Sequence, residues 1–140
     1  MKKANFLKNS TKLFITGTLS MLDQLKGRGL RLGVVTSKGK PGTERTLAFT
    51  GLRDLLEVVV TAHDVLKHKP EPEPLLKALD SLGAGAAEAI YVGDSHFDIL
   101  TGRNAGTRTL GVTWGLGSRE ELEPLRPDGL LDHWDELPRY

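Results

Sequence analysis

From Lys12 to the C-terminus, short runs of apolar and β-branched residues alternate with stretches whose apolar positions recur every three or four residues. The first kind predicts strands at Leu13–Thr16, Leu32–Thr36, Val58–Thr61, Ile90–Gly93, Thr109–Thr113 and Leu130–Leu131. Most are continuous rather than alternating apolar runs, which suits strands covered on both faces. Leu19, Leu22 and Leu25 share one face of a helix spanning Thr18–Arg28, with Gly29 as its stop signal. Further helices are expected over Glu44–Phe49, closed by Gly51, over Pro74–Leu82, ended by Gly83, and over His96–Ala105 and Arg119–Leu125. Strand–helix alternation with right-handed crossovers predicts an α/β fold, a three-layer Rossmann-like parallel sheet with helices on both faces.

Length and charge narrow this picture. A chain of 140 residues is the size of one domain, and no apolar run approaches the ~20 residues of a membrane helix. With no cysteine there is no disulfide framework, thiolate metal site or thiol nucleophile, which leads us to expect a soluble, cytoplasmic protein. A net charge of +1 supplies no field for nucleic acid, so neither nucleic acid nor membrane is an expected partner. The distribution of charge is uneven: residues 1–16 hold four lysines and no acidic residue or arginine, whereas the rest carries 15 basic and 18 acidic side chains. Residues 1–16 therefore read as an atypical basic leader, and 17–140 as the core domain. Leu13–Ile15 is too short an apolar patch for a secretion signal.

In an open parallel sheet the loops after the strands' carboxyl ends converge on one crevice. Strand Leu32–Thr36 runs into Thr36-Ser37-Lys38, the loop after Val58–Thr61 leads to Lys69-Pro70, and Ile90–Gly93 runs into Asp94-Ser95, with Asp98 one helical turn later. This set suits a phosphoryl group beside a divalent cation. The hydroxyls of Thr36 and Ser37 can donate to phosphate oxygens, and Lys69 can neutralise their charge. Asp94 can hold Mg²⁺, a hard cation that prefers carboxylate oxygen and keeps several waters. Asp98 lies on the same helical face, as a direct ligand or as a support for one.

These segments resemble the haloacid dehalogenase superfamily, in particular its phosphoglycolate phosphatase and pyrophosphatase-like branch. LGVVTSK resembles the second motif, with Thr36 as phosphate ligand; HKPEPEPLLKAL resembles the third, with Lys69; YVGDSHFDILTGRNAG resembles the fourth, with Asp94 and Asp98. The resemblance implies Mg²⁺-dependent hydrolysis of a small phosphorylated molecule. It also implies an aspartate at the end of the first strand that attacks phosphorus, and a cap domain that selects the substrate.

No Asp-x-Asp pair stands in the first 60 residues. Two alignments remain open. If Gly17-Thr18-Leu19 is the remnant of the first motif, Phe14 and Thr16 occupy the nucleophile and acid–base positions and are chemically inert there. Alternatively Gly17 begins the segment that follows the cap, which the 19-residue step from Gly17 to Thr36 favours. Motif I and the cap are then absent, the core is capless, and Lys12–Thr16 serves as a surrogate first strand. The expected function is a phosphatase-like hydrolase core that is inactive or nearly so. The alternatives are a non-catalytic module binding phosphate and Mg²⁺, or a truncated or chimeric chain without selected activity. Association into an oligomer is possible through an exposed sheet edge but has no specific signal. His96, beside the acidic loop, is the one histidine positioned to take part, and Gly115-Leu116-Gly117 reads as a turn.

Overall fold

The computed structural model describes residues 4–7 and 18–140, and within them the α/β expectation holds. Six parallel strands lie in the order β3-β2-β1-β4-β5-β6: β1 Ala4–Leu7, β2 Arg31–Val35, β3 Val58–Val60, β4 Ala89–Gly93, β5 Arg108–Val112 and β6 Gly129–Leu131. The order reverses between β1 and β4, so loops leaving their neighbours part to opposite sides and open a crevice there. β1 pairs with both β2 and β4, Leu7 lying opposite Val34 and Val92. The central slot is thus filled by Ala4–Leu7. The strand expected at Leu13–Thr16 lies outside the described residues.

Helices α1 (Thr18–Gly27), α2 (Lys40–Thr50), α3 (Glu73–Leu82), α4 (His96–Ala105) and α5 (Arg119–Leu122) connect the strands. Period-two alternation along β4 divides the core. Ile90 and Val92 join Leu22, Leu25, Leu47, Leu110 and Trp134 on the α1–α2 face, while Ala89 and Tyr91 join Leu75, Ala78, Leu79 and Ala105 on the α3–α4 face. Such two-sided burial explains the unbroken apolar runs of the central strands. No second domain and no helix long and apolar enough to cross a membrane occur among the described residues.

The ends of the elements follow local chemistry. Gly29, Gly51, Gly83 and Gly106 all take positive φ just after a helix, closing α1 to α4 as the sequence suggests for three of them. α4 starts where expected because Ser95 and Asp98 form a capping box. α2 starts four residues earlier than its periodicity indicates, at Lys40, with Pro41 fixed in the first turn. The helix expected over Arg119–Leu125 is α-helical only to Leu122 and continues as a 3₁₀ turn containing Pro124.

Leu110, fully buried on β5, packs among residues of α1 and the C-terminal turn. Leu110→Ala is expected to lower unfolding stability by about 2–5 kcal/mol. Phe49→Ala, at a position 93% exposed, should stay within about 0.5 kcal/mol of wild type in the same urea titration.

Candidate phosphate and cation site

The carboxyl ends of β2 and β4 carry the residues singled out by chemistry, and the geometry there centres on Asp98. This carboxylate is fully buried and must replace lost hydration with protein donors. Its Oδ2 accepts from the backbone N–H of Asp94 (3.1 Å), the N–H of Ser95 (3.2 Å) and the Ser95 hydroxyl (3.0 Å). Its Oδ1 accepts from Lys69 Nζ at 2.7 Å and, more weakly, from the Tyr91 hydroxyl at 3.4 Å. One side chain thus caps α4, fixes the turn bearing Asp94 and anchors the lysine.

Lys69 arrives from the loop before α3 with its side chain only 4% exposed. Its ammonium also donates to the Val35 carbonyl at 3.2 Å and lies 5.4 Å from the centre of the Tyr91 ring. Burial, followed by the neighbouring charges of Asp98 and Asp94, holds the Tyr91 phenol well above its ordinary titration range, so it remains a neutral donor. The loop carrying Lys69 is tied to α4 by Asn104, whose amide donates to the Pro70 carbonyl at 3.0 Å. Lys69 is thereby held next to Val35, the residue before Thr36.

Thr36 is buried at the end of β2, its N–H donating to the Val60 carbonyl and its hydroxyl oxygen accepting from the Lys38 N–H. Ser37 is the exposed residue beside it. Asp94, also fully buried, is oriented from the turn after β5: its Oδ2 accepts from the Leu116 N–H (3.1 Å) and its carbonyl from the Gly117 N–H (2.7 Å). A Cβ on Gly115 would fall 2.3 Å from Asp94 Cβ, and one on Gly93 would fall 2.2 Å from Asp98 Cβ. Only glycine allows these approaches.

Thr36, Lys69, Asp94 and Asp98 therefore meet at one edge, as the sequence suggests. Phe14 and Thr16 lie outside the described residues. His96 is exposed at the start of α4, stacked on Phe97, and lines a cavity of about 220 Å³ with Ser95, Leu116 and Glu121. Two contributors escape sequence reasoning. Tyr91 looks like an ordinary core aromatic. Gly115-Leu116-Gly117 is a clamp on Asp94, and its only signal is a Gly-x-Gly directly after a strand that ends at the crevice. Among the described residues no three acidic or histidine side chains cluster as a self-sufficient metal cage. Asp94 suits a cation such as Mg²⁺ that takes one or two protein carboxylates and fills its remaining positions with water and substrate oxygens.

Two variants probe this arrangement. Lys69→Met leaves the buried Asp98 without its cation and is expected to cost about 3–5 kcal/mol in chemical denaturation. Asp64 accepts from the N–H of Thr61 at 2.7 Å and from its hydroxyl at 2.9 Å, and the backbone bond chiefly holds its carboxyl below the usual range. Such a group stabilises the fold above the unfolded-state value of ~4 and loses that contribution as pH falls through its lower folded value. In acid titrations the difference in stability between wild type and Asp64→Asn should therefore be present at neutral pH and shrink below about pH 4.

A model of the haloacid dehalogenase-like hydrolase family matches residues 2–112. A pyrophosphatase, PpaX, of Bacillus cereus is 46% identical over 116 residues, covering 83% of this chain and 54% of that protein. The corresponding protein of Bacillus thuringiensis is 45% identical over the same length. The chain spans about half the length of the curated relatives it matches. Among solved structures, a predicted phosphoglycolate phosphatase from Haemophilus somnus superposes with a TM-score of 0.83 at 25% identity, covering 89% of this chain and 55% of that one. A haloacid dehalogenase-superfamily hydrolase of subfamily IA from Geobacter sulfurreducens does so at 0.76 and 34% identity, covering 89% and 58%. By sequence match and by fold, the chain belongs to the haloacid dehalogenase-like hydrolases.

Proposed function

We propose that the described core is the phosphate-handling part of a hydrolase for small phosphorylated molecules, with Thr36, Ser37 and Lys69 binding the phosphoryl group and Asp94 the Mg²⁺ ion. The observation that carries this reading is the buried Lys69–Asp98 pair beside Thr36 and Asp94. An ammonium is held with its carboxylate partner behind it, at the strand ends where the sheet order reverses. Asp98, with donors on both oxygens, acts through Lys69 and the Asp94 turn rather than as a principal ligand. Bound Mg²⁺ would supply positive charge against the phosphate oxygens. Phosphomonoesters and pyrophosphate both fit this chemistry, and the pyrophosphatase relatives favour keeping the latter in view.

We further propose that this chain on its own turns over phosphate esters at a negligible rate. The family resemblance implies carboxylate attack by an aspartate at the end of the first strand, and the chain has no aspartate before Asp23, an exposed residue of α1. The same contrast, binding groups present and attacking group missing, favours a non-catalytic module for phosphate and Mg²⁺ as the second reading.

The test is Mg²⁺-dependent hydrolysis of p-nitrophenyl phosphate, run beside Asp94→Asn and a metal-free control, together with the melting temperature in inorganic phosphate. The expected result is turnover no higher than in the controls and a melting temperature raised by phosphate, since ligand at about 100 times its dissociation constant adds about 2.7 kcal/mol. Mg²⁺-dependent turnover abolished by Asp94→Asn would mean that another group attacks phosphorus. A melting temperature indifferent to phosphate would refute the binding site.

A further inference from the structure

The first turn of a helix presents N–H groups that have no partner within the helix. In α2 the residue at the cap position is Gly39, which has no side chain to receive them, and Pro41 removes one donor outright. The Lys40 N–H donates instead to Nδ1 of His63, 23 residues away, at 3.0 Å. The imidazole packs close to the chain at Gly39, where an added Cβ would come within 3.1 Å of His63 Cε1. His63 follows Thr61, whose side chain caps the 3₁₀ turn Ala62–Asp64.

This contact involves the loop that carries Thr36. The 60–63 segment grips that loop at three places: the Val60 carbonyl accepts from the Thr36 N–H (2.9 Å), the Ala62 N–H donates to the Lys38 carbonyl (2.9 Å), and His63 receives the Lys40 N–H. Two of these are backbone bonds, insensitive to pH. The third requires a lone pair on Nδ1, which an imidazolium lacks.

We infer that His63 is a positioning residue for the phosphate-binding loop, capping α2 from outside the helix when its imidazole is neutral and releasing the 36–40 segment when it is protonated. Protonation turns the acceptor into a donor that faces another donor, and it adds charge at the positive end of the helix dipole. The charged groups on the segments that meet His63 are Asp64 on its own turn, Lys38 and Lys40 on the gripped segment, Glu44 one turn along α2, and Lys77 of α3, whose ammonium donates to the Asp64 carbonyl; Lys40, Glu44 and Asp64 also line one cavity with Arg53, Asp54 and Glu57. Asp64 is itself engaged with Thr61 through its backbone N–H and its hydroxyl. The consequence for ligand rests on the phosphate-site reading of Thr36; the capping itself does not.

The experiment follows amide hydrogen exchange at Lys40 by NMR from about pH 5.5 to about 7.5, corrected for intrinsic exchange, in wild type, His63→Asn and His63→Leu. Asparagine retains an acceptor that does not titrate. Wild-type protection should rise about fivefold from the acid to the alkaline end of that range. His63→Asn should be protected at every pH and His63→Leu at none. Wild-type protection that ignores pH, or His63→Leu protected as well as wild type, overturns the inference. Sulfate, whose charge is constant in this range, serves as the ligand probe. At the acid end His63→Asn should bind it about fivefold more tightly than wild type, and at the alkaline end equally. Equal affinities at both ends, with Lys40 protection still following pH, overturn the ligand half alone. Absence of sulfate binding in all three proteins overturns the phosphate-site reading and leaves the capping result to stand on the exchange data.

Discussion

A fully buried carboxylate is among the least favourable groups a fold can contain, and the surroundings of Asp98 answer that cost bond by bond. Two backbone N–H groups and a hydroxyl meet one oxygen; an ammonium and a phenol meet the other. Each donor does something else as well. The backbone donors belong to the turn that aims Asp94, Ser95 starts α4, and Tyr91 is the largest fully buried side chain of the core. Lys69, the one donor with a full charge, is thereby drawn out of its solvated loop to the end of β2. A lysine chosen only for stability would be poorly used here, because a hydrophobic pair of similar volume is often at least as stable as a buried ion pair. The arrangement makes sense as a way to hold a positive charge where a phosphate would arrive.

The sheet explains why this happens where it does. With the order reversing between β1 and β4, the β2 and β4 loops leave on opposite sides and their first residues face the same gap. Thr36 comes from one side, Asp94 from the other, and the turn that follows β5 closes the far wall through the Leu116 and Gly117 N–H groups. Gly93 and Gly115 are the geometric condition for that closeness, since a single methyl at either would displace one of the two carboxylates. Packing, hydrogen bonding and the chemistry of the crevice thus impose one common constraint on this short stretch of chain.

Much of this was legible in the sequence for physical reasons. Val-rich strands buried on both faces announce themselves as continuous apolar runs, and the Ser95–Asp98 spacing marks a helix start. What escaped depends on partners distant along the chain. The start of α2 is hidden because its acceptor is His63 rather than a residue near Gly39. The clamp on Asp94 is hidden because Leu116 and Gly117 act through backbone N–H groups that any residue would offer, and Gly115 only through the lack of a side chain. Pro124 turns the last helix into a 3₁₀ turn against an apolar periodicity that runs on to Leu125. Ala4–Leu7 falls within the basic leader that composition marks off, yet it pairs on both sides in the centre of the sheet; four residues of mixed character give too little pattern to mark a strand.

The account rests on one functional claim, that phosphate and Mg²⁺ occupy neighbouring positions held by Lys69 and Asp94. Two ligands in contact through shared charge must each tighten the other by the same factor. The direct measurement is calorimetric titration of inorganic phosphate with and without saturating Mg²⁺, in wild type and in Asp94→Asn. The account predicts at least fivefold tighter phosphate binding with Mg²⁺ in wild type, and no difference in Asp94→Asn. Equal phosphate affinity with and without Mg²⁺ in wild type, or coupling that survives Asp94→Asn, would contradict it.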